Sequence, residues 1–294
     1  MPVLLPLMLM QANFDPSGIN SPYSSALPRE IVDKKNEEDR KRRAEQAADA
    51  AAAAGPAVPE SNEGCMLAVE SDPAHSAEVA RQAMNEAQGR TRVRAGLCLG
   101  AALAALDRWD EARTAFIQAR DAADLEDHVS RARLGAMAGN AALGGGKPGE
   151  ALSILAPAVA DAKAAEDNAL LASISLDRAR ALVALNQLDE AGTALADARN
   201  AAPGDPQVWL LSATLSRRQN KLAEAQTQIE KAAELAPQDP EVGLEAGVIA
   251  VLAGRDEAAR RSWNSVVATS PNSPQAATAK GYLAQLGPEA KGHP

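Results

Sequence analysis

From Pro203 to Pro237 the chain reads PGDPQVWLLSATLSRRQNKLAEAQTQIEKAAELAP, and its landmarks recur at a step of 34 residues. Pro203, Pro237 and Pro271 keep that step, as do Ala191, Ala225 and Ala259, and also Ala179, Ala213 and Gly247. Asp205-Pro206, Asp239-Pro240 and Ser273-Pro274 follow the same register. In each pair the first side chain can cap a helix by accepting from an orphan amide. The proline then takes the first helical position, where its missing N–H is not needed. Turn residues Asn186, Asn220 and Gly254 divide each unit into two apolar-periodic stretches. One helical hairpin is written three times. A period in the thirties marks a stacked array whose units cannot bury their apolar faces alone, so the sequence points to a binding scaffold rather than a catalyst.

Composition agrees with that architecture. The chain has 294 residues, and a solenoid grows along one axis without needing a single central core. Aromatic residues make up 2%, and alanine dominates the apolar fraction, so close helix approach must supply the contact that bulky side chains would otherwise give. Strong helix formers fill nearly every segment after residue 63, and no alternating strand-like run occurs, which defines an all-α chain. A net charge of -9 argues against nucleic acid, because phosphate neutralisation needs a basic face with interleaved aromatics. Two cysteines, Cys65 and Cys98, give neither a disulfide framework nor a metal-ligand spacing. Their separation of 33 residues places them at matching positions on neighbouring parallel helices. Helices usually pack about 8–10 Å apart and a bridge needs Cα atoms within about 7 Å, so buried free thiols are expected and a bridge is the alternative.

The amino-terminal region reads differently. Residues 1–12, MPVLLPLMLMQA, are too short to span a bilayer but resemble the apolar core and small-residue end of a secretory signal. A basic leading region is missing, so either the start lies upstream or the likeness is accidental; the alternative is a plain apolar terminus. Residues 13–62 are expected to be linker, with a charged and then alanine-rich segment from Arg29 to Ala54 that can form a detached helix. The basic run Arg40 to Arg43 is nearly cancelled by Glu37, Glu38 and Asp39, which favours a solvated helix over a membrane-surface contact. The packed array is placed at 63–287, with a tail at 288–294. It comprises regular repeats at about 170–203, 204–237 and 238–271, longer ones at about 90–126 and 127–168, and a capping helix at 274–286.

The repeat resembles the tetratricopeptide repeat, in which a small residue midway along helix A meets an alanine, a large residue and a second alanine on helix B before a closing proline. The clearest unit supplies Trp209, Ala213, Leu222, Ala225, Ile229, Ala232 and Pro237. Its neighbours supply Ala179, Leu188, Ala191, Leu195, Ala198 and Pro203 on one side, and Gly247, Ala259, Trp263, Val266 and Pro271 on the other. Two earlier units fit more loosely, through Gly100, Trp109, Ala112, Phe116 and Ala119 and through Gly139, Ala151, Leu155 and Ala158. There the step stretches to 39 and 40 residues, and Asp124 and Lys163 replace the closing proline. Without proline helix B can run on, so the added residues are expected to lengthen helices B rather than make loops. The resemblance implies a right-handed α-solenoid.

Sequence motifs for chemistry are lacking. Gly144 to Lys147 is followed by Pro148 where a phosphate loop needs a hydroxyl residue, so the stretch reads as an interhelix turn. His75, His128 and His293 have no metal or nucleophile spacing and are expected at the surface. No cofactor, metal or catalytic residue is assigned. The resemblance places groove-lining residues at defined points of helix A, which fall on Arg94, Arg133, Asn140, Arg180, Gln207 and Thr214, with Arg217 and Arg218 further along. This row implies a protein partner bearing an acidic or carboxylate-rich segment, since arginine's planar fork suits carboxylates; the alternative is a solvated face. A periplasmic or cell-envelope location is expected from the apolar start, with the cytoplasm as alternative and no stable membrane insertion.

Overall fold

The structure is a computed structural model that describes residue 37, residues 40–43 and residues 62–287. The chain divides into two units, Met1–Gly55 and Pro56–Pro294. In the first, residues 40–43 are helical and Lys41 pairs with Glu37 at 3.7 Å. The apolar segment 1–12, most of the linker 13–62 and the tail 288–294 lie outside the described residues.

The second unit is a right-handed α-solenoid. Its helices are α1 (Asn62–Ser71), α2 (Pro73–Glu86), α3 (Gly89–Ala105), α4 (Trp109–Ala122), α5 (His128–Gly144), α6 (Pro148–Ala164) and α7 (Asn168–Ala184). They continue with α8 (Leu188–Ala201), α9 (Pro206–Arg218), α10 (Leu222–Leu235), α11 (Pro240–Leu252), α12 (Asp256–Thr269) and α13 (Pro274–Leu286). Each helix packs on the next in sequence. Odd-numbered helices are helices A and even-numbered ones helices B. Packing between helices two apart joins α1 to α3, α5 to α7, α9 to α11 and α11 to α13, which puts helices A on the inner, tighter side of the stack.

One contact register recurs in the five hairpins from α3/α4 to α11/α12. The small residue of helix A and the large residue of helix B lie 16 positions apart in Gly100 and Phe116, Gly139 and Leu155, Ala179 and Leu195, Ala213 and Ile229, and Gly247 and Trp263. A Cβ at Gly100 would come within 2.5 Å of the Phe116 ring, and one at Gly139 within 2.5 Å of Leu155 Cγ, so backbone and large side chain are in direct contact. Leu155, Ile229 and Trp263 are buried there. The helix A to helix B turns also share a form, with a left-handed residue in the middle: Asp107, Gly146, Asn186, Asn220 and Gly254. These are residue types that reach that region at low cost. The turn at Gly146 lies within the glycine-rich stretch Gly144 to Lys147.

The longer repeats correct one expectation. Helix α6 does lengthen, to 17 residues, and runs through Pro157 without interruption. Helix α4 does not; it keeps the 14 residues of α8, α10 and α12 and ends before Asp124. The added turn appears instead at the start of the following helices A, where α5 and α7 have 17 residues against 13 in α9 and α11. Losing proline removes a stop, but Ala123 adopts an extended conformation and ends α4 anyway. Helix α6 ends by a different device. Asp167 N–H reaches back to Ala162 O at 3.2 Å, and Glu166 takes φ of 54°, a left-handed cap usually given to glycine. Glu166→Gly is therefore expected to stabilise the array by about 1 kcal/mol, because a residue with a Cβ is strained in that region. A calorimetric midpoint that falls would contradict it.

The cysteines give a second correction. Cys65 on α1 and Cys98 on α3 form a disulfide with Cα atoms 5.5 Å apart, rather than two free thiols. The helix spacing of about 8–10 Å is measured between axes, and facing Cα atoms each stand about 2.3 Å closer to the partner. Residues that face each other directly are thus within bridging range. The bridge is buried, with Cys65 0% and Cys98 3% exposed.

Candidate functional site

The inner face near the amino-terminal end of the array carries a cleft of about 400 Å³ between α1, α3 and α5. Its floor is apolar, made by Met66, Val93, Leu97, Leu134 and Met137. Leu134 is buried in the core, while Met66 stands 49% exposed at the edge. Arg94 on α3 and Arg133 on α5 both line this cleft, and among the described residues neither has an ion-pair or hydrogen-bond partner. Asp127 lies on the same rim but is committed to capping α5, accepting from Ser130 N–H at 3.1 Å. Hydrogen bonding from Ser130, assisted by the charge of Arg90, holds its carboxyl below the usual carboxylate range.

Asn140 and Arg180 meet one stage further along. Both donate to Asp177 on α7, Asn140 Nδ2 to Oδ2 at 2.8 Å and the Arg180 guanidinium to Oδ1 at 2.7 Å. Asp177 is 2% exposed, and burial pushes its carboxyl above the usual range despite Arg180 and Asn140. A carboxylate from the protein itself therefore occupies this donor pair. Arg180 keeps half of its side chain in solvent, with 50% exposed.

Helix α9 carries the remaining residues of the row. Gln207 sits half-buried in its first turn, where its backbone N–H donates to Asp205 at 2.8 Å. Thr214 Oγ1 turns back to Leu210 O at 3.0 Å. Arg217 Nε donates to Glu245 Oε1 on α11 at 2.6 Å, and Arg218 is exposed. The row thus splits into three groups on successive helices A. Sequence reading missed the two acidic counterparts, Asp177 and Glu245. A signal was present, since each stands two residues before the small residue of its own helix A, Ala179 or Gly247.

One other side chain differs from expectation. His128 is not a free surface histidine; its Nδ1 lies 3.3 Å from Asp161 and the side chain is 34% exposed. The reason is the extra turn at the start of α5, which brings residue 128 over α6. His75 is exposed, and His293 lies outside the described residues.

The stacked hairpins, the shared small-to-large register and the inner helix A face define an α-solenoid of the tetratricopeptide-repeat fold. No protein-family model matches the chain, and no curated protein does. Solved structures do resemble it. PilW, a widely conserved type IV pilus biogenesis factor, aligns with a TM-score of 0.57 and 18% identity over 71% of this chain and 91% of its own. PilF of Pseudomonas aeruginosa aligns with a TM-score of 0.57 and 12% identity over 76% and 97%. MamA of Desulfovibrio magneticus RS-1 gives 0.52 and 15% over 64% and 99%. At such identities the likeness establishes the fold. Among the described residues no helix is long and apolar enough to cross a membrane.

Proposed function

We propose that the protein is a non-catalytic interaction scaffold whose inner groove holds a carboxylate-bearing segment of a partner protein, anchored in the cleft between α1, α3 and α5. One observation carries this reading: Arg94 and Arg133 stand unpaired beside an apolar floor in a chain of net charge -9. Guanidinium groups held over apolar surface bind carboxylates through charge-assisted forks, while the floor takes an adjacent apolar side chain. Asn140, Arg180, Gln207, Thr214, Arg217 and Arg218 continue the track. Arg180 and Arg217 must first exchange Asp177 and Glu245 for the partner, so their net contribution is smaller.

The test begins with photocrosslinking in cells from position 97 and synthesis of the captured segment. Arg94→Glu with Arg133→Glu is expected to weaken that segment's binding by about 100-fold or more, since two charge-assisted contacts are lost. The salt dependence of affinity should fall with it. Unchanged affinity in the double variant sinks the assignment.

A second reading, an assembly or biogenesis factor of the bacterial cell envelope, draws support from the Cys65–Cys98 bridge. Disulfides persist in oxidising compartments and are rare in the reducing cytosol. In this reading the convex face or the charged segment from Arg29 to Glu45 docks to a larger complex. PilW is itself described as a pilus biogenesis factor. Thiol trapping on fractionated cells separates the alternatives: reduced cysteines in a wholly cytoplasmic pool would remove this one.

A further inference from the structure

A second cleft, of about 290 Å³, lies between α8 and the α9/α10 hairpin, and the repeat register explains why it exists. The residue after the first alanine of helix B normally fills this junction. Arg113 reaches Glu150 on the next helix B, Leu152 packs against the next hairpin's core, Gln226 accepts from Arg255, and Arg260 donates to Gly287 O at 2.6 Å. In the α7/α8 hairpin that residue is Gly192. A Cβ there would meet Leu215 Cδ2 at 3.9 Å and nothing closer, so the missing side chain leaves open space.

Two wall positions that are mostly apolar in the other units are polar here. Ser216 stands at the register of Leu103, Ala142, Leu182 and Ala250, and Gln228 at that of Ala115, Ile154, Ala194 and Ser262. Ser212, Ser216 and Gln228 are 2%, 5% and 5% exposed, and they form half of the six buried polar residues among those described. Ser216 donates to Gln228 Oε1 at 2.8 Å, and Gln228 Nε2 to Glu224 at 2.9 Å, so the lining is ordered in advance.

Arg199 projects into this cleft without a direct ion pair among the described residues. At the same register Arg120 pairs with Asp161 of the next helix B at 3.1 Å. The position matching Asp161 after Arg199 is Leu235. Arg199 is left with a hydrogen bond to Ser212 Oγ at 2.6 Å and the Trp209 ring at 5.6 Å, and it forms no ion pair. Its charge is opposed first by burial and supported through space by Glu224. Lys221 adds a second cation to the wall, and the carboxylates of Glu224 and Asp189, which accept from Gln228 and Gln219, keep their charge there. A half-buried guanidinium here faces open space and has no direct ion pair of the kind that its counterpart Arg120 makes.

We propose that this junction binds the carboxylate of a small organic acid, held by Arg199 with the remainder of the molecule in the space left by Gly192. The site is separate from the inner groove and does not depend on the function proposed for it. Succinate and L-glutamate serve as probes, inorganic phosphate as a competing anion, and a tetraglutamate peptide as the macromolecular source of the same chemistry. With the full-length protein, either small acid should give a saturable shift of the Arg199 Nε–Hε resonance with a Kd of about 1 mM or tighter. Arg199→Gln should weaken it at least about tenfold, the loss expected for a charge-assisted hydrogen bond. Gly192→Gln, which restores the residue type found at Gln226, should weaken it likewise by filling the space. Thermal midpoints of both variants establish that they remain folded. The proposal is overturned if neither small acid gives a saturable shift, or if Gly192→Gln binds as the parent does. Equal binding of phosphate overturns the carboxylate assignment, and binding of the peptide alone transfers the site to a macromolecular partner.

Discussion

Removal of the Cys65–Cys98 bridge, by reduction or by Cys65→Ser with Cys98→Ser, is expected to unfold helix α1 while α2 and the carboxy-terminal hairpins stay intact. The bridge closes a loop of 33 residues, and constraint of the unfolded chain by such a loop amounts to about 3–4 kcal/mol. Little else holds α1. Helix α1 has 10 residues, buries Cys65 and Val69, and leaves Met66 and Leu67 49% and 67% exposed. A helix that short is marginal without tertiary support. Stability in a solenoid is a sum over units and neighbouring interfaces, so loss at one end stays local. Amide exchange over residues 62–71 should accelerate by about 100-fold or more, at about tenfold per 1.4 kcal/mol, while α9 to α13 keep their protection. Because Met66 forms one wall of the Arg94 and Arg133 cleft, segment binding should weaken in step. Uniform acceleration across the array would contradict the local account, and unchanged exchange would show that packing alone holds α1.

The repeat made the fold legible because each landmark has a mechanical duty. Gly247 must be small for Trp263 to lie on the backbone, and Pro206 must follow Asp205 for α9 to start where it does. Where the proline is missing, sequence gave less guidance. The stop after α4 and the left-handed Glu166 after α6 are backbone solutions that use ordinary residues, and neither leaves a compositional mark.

The groove was legible on its basic side and obscure on its acidic side for a similar reason. The residue two before each small residue of helix A is Cys98, Met137, Asp177, Leu211 or Glu245. In the structure this position faces the preceding helix A: Cys98 bonds Cys65, Asp177 takes Asn140 and Glu245 takes Arg217. The identities share no chemistry, so pattern matching passes over a position whose duty is constant. Register, rather than residue type, is the observable that unites them. The same comparison exposes Gly192, where a side chain present in the other units is absent.

A loss of about 3–5 kcal/mol is expected for Asp161→Ala, the magnitude found when one partner of a buried ion cluster is removed. Asp161 has a side-chain exposure of 12% and joins three helices: Arg120 of α4 at 3.1 Å, and His128 and Arg131 of α5 at 3.3 and 3.5 Å. The Arg120 and Arg131 side chains are 17% and 16% exposed, and Arg120 Nε already lacks an acceptor. Without the carboxylate, two guanidinium groups face each other with little water to screen them. Asp161→Asn keeps an acceptor but not the charge and should fall between parent and alanine variant. The pH dependence has a definite sign. Burial pushes the Asp161 carboxyl up, but hydrogen bonds from Arg120 and His128 and the charges of Arg131 and Arg120 outweigh it, and it is held below the ordinary value. The folded state therefore binds fewer protons than the unfolded one between the two pKa values. Its stabilisation is complete above the unfolded value of about 3.9 and is lost as pH falls through the folded one. Urea titrations at neutral and acid pH should show the parent losing more stability than Asp161→Asn on acidification. If Asp161→Ala loses less than about 1 kcal/mol, the surface ion-pair range, then Leu155, Ala158 and Ala162 hold this junction by packing alone.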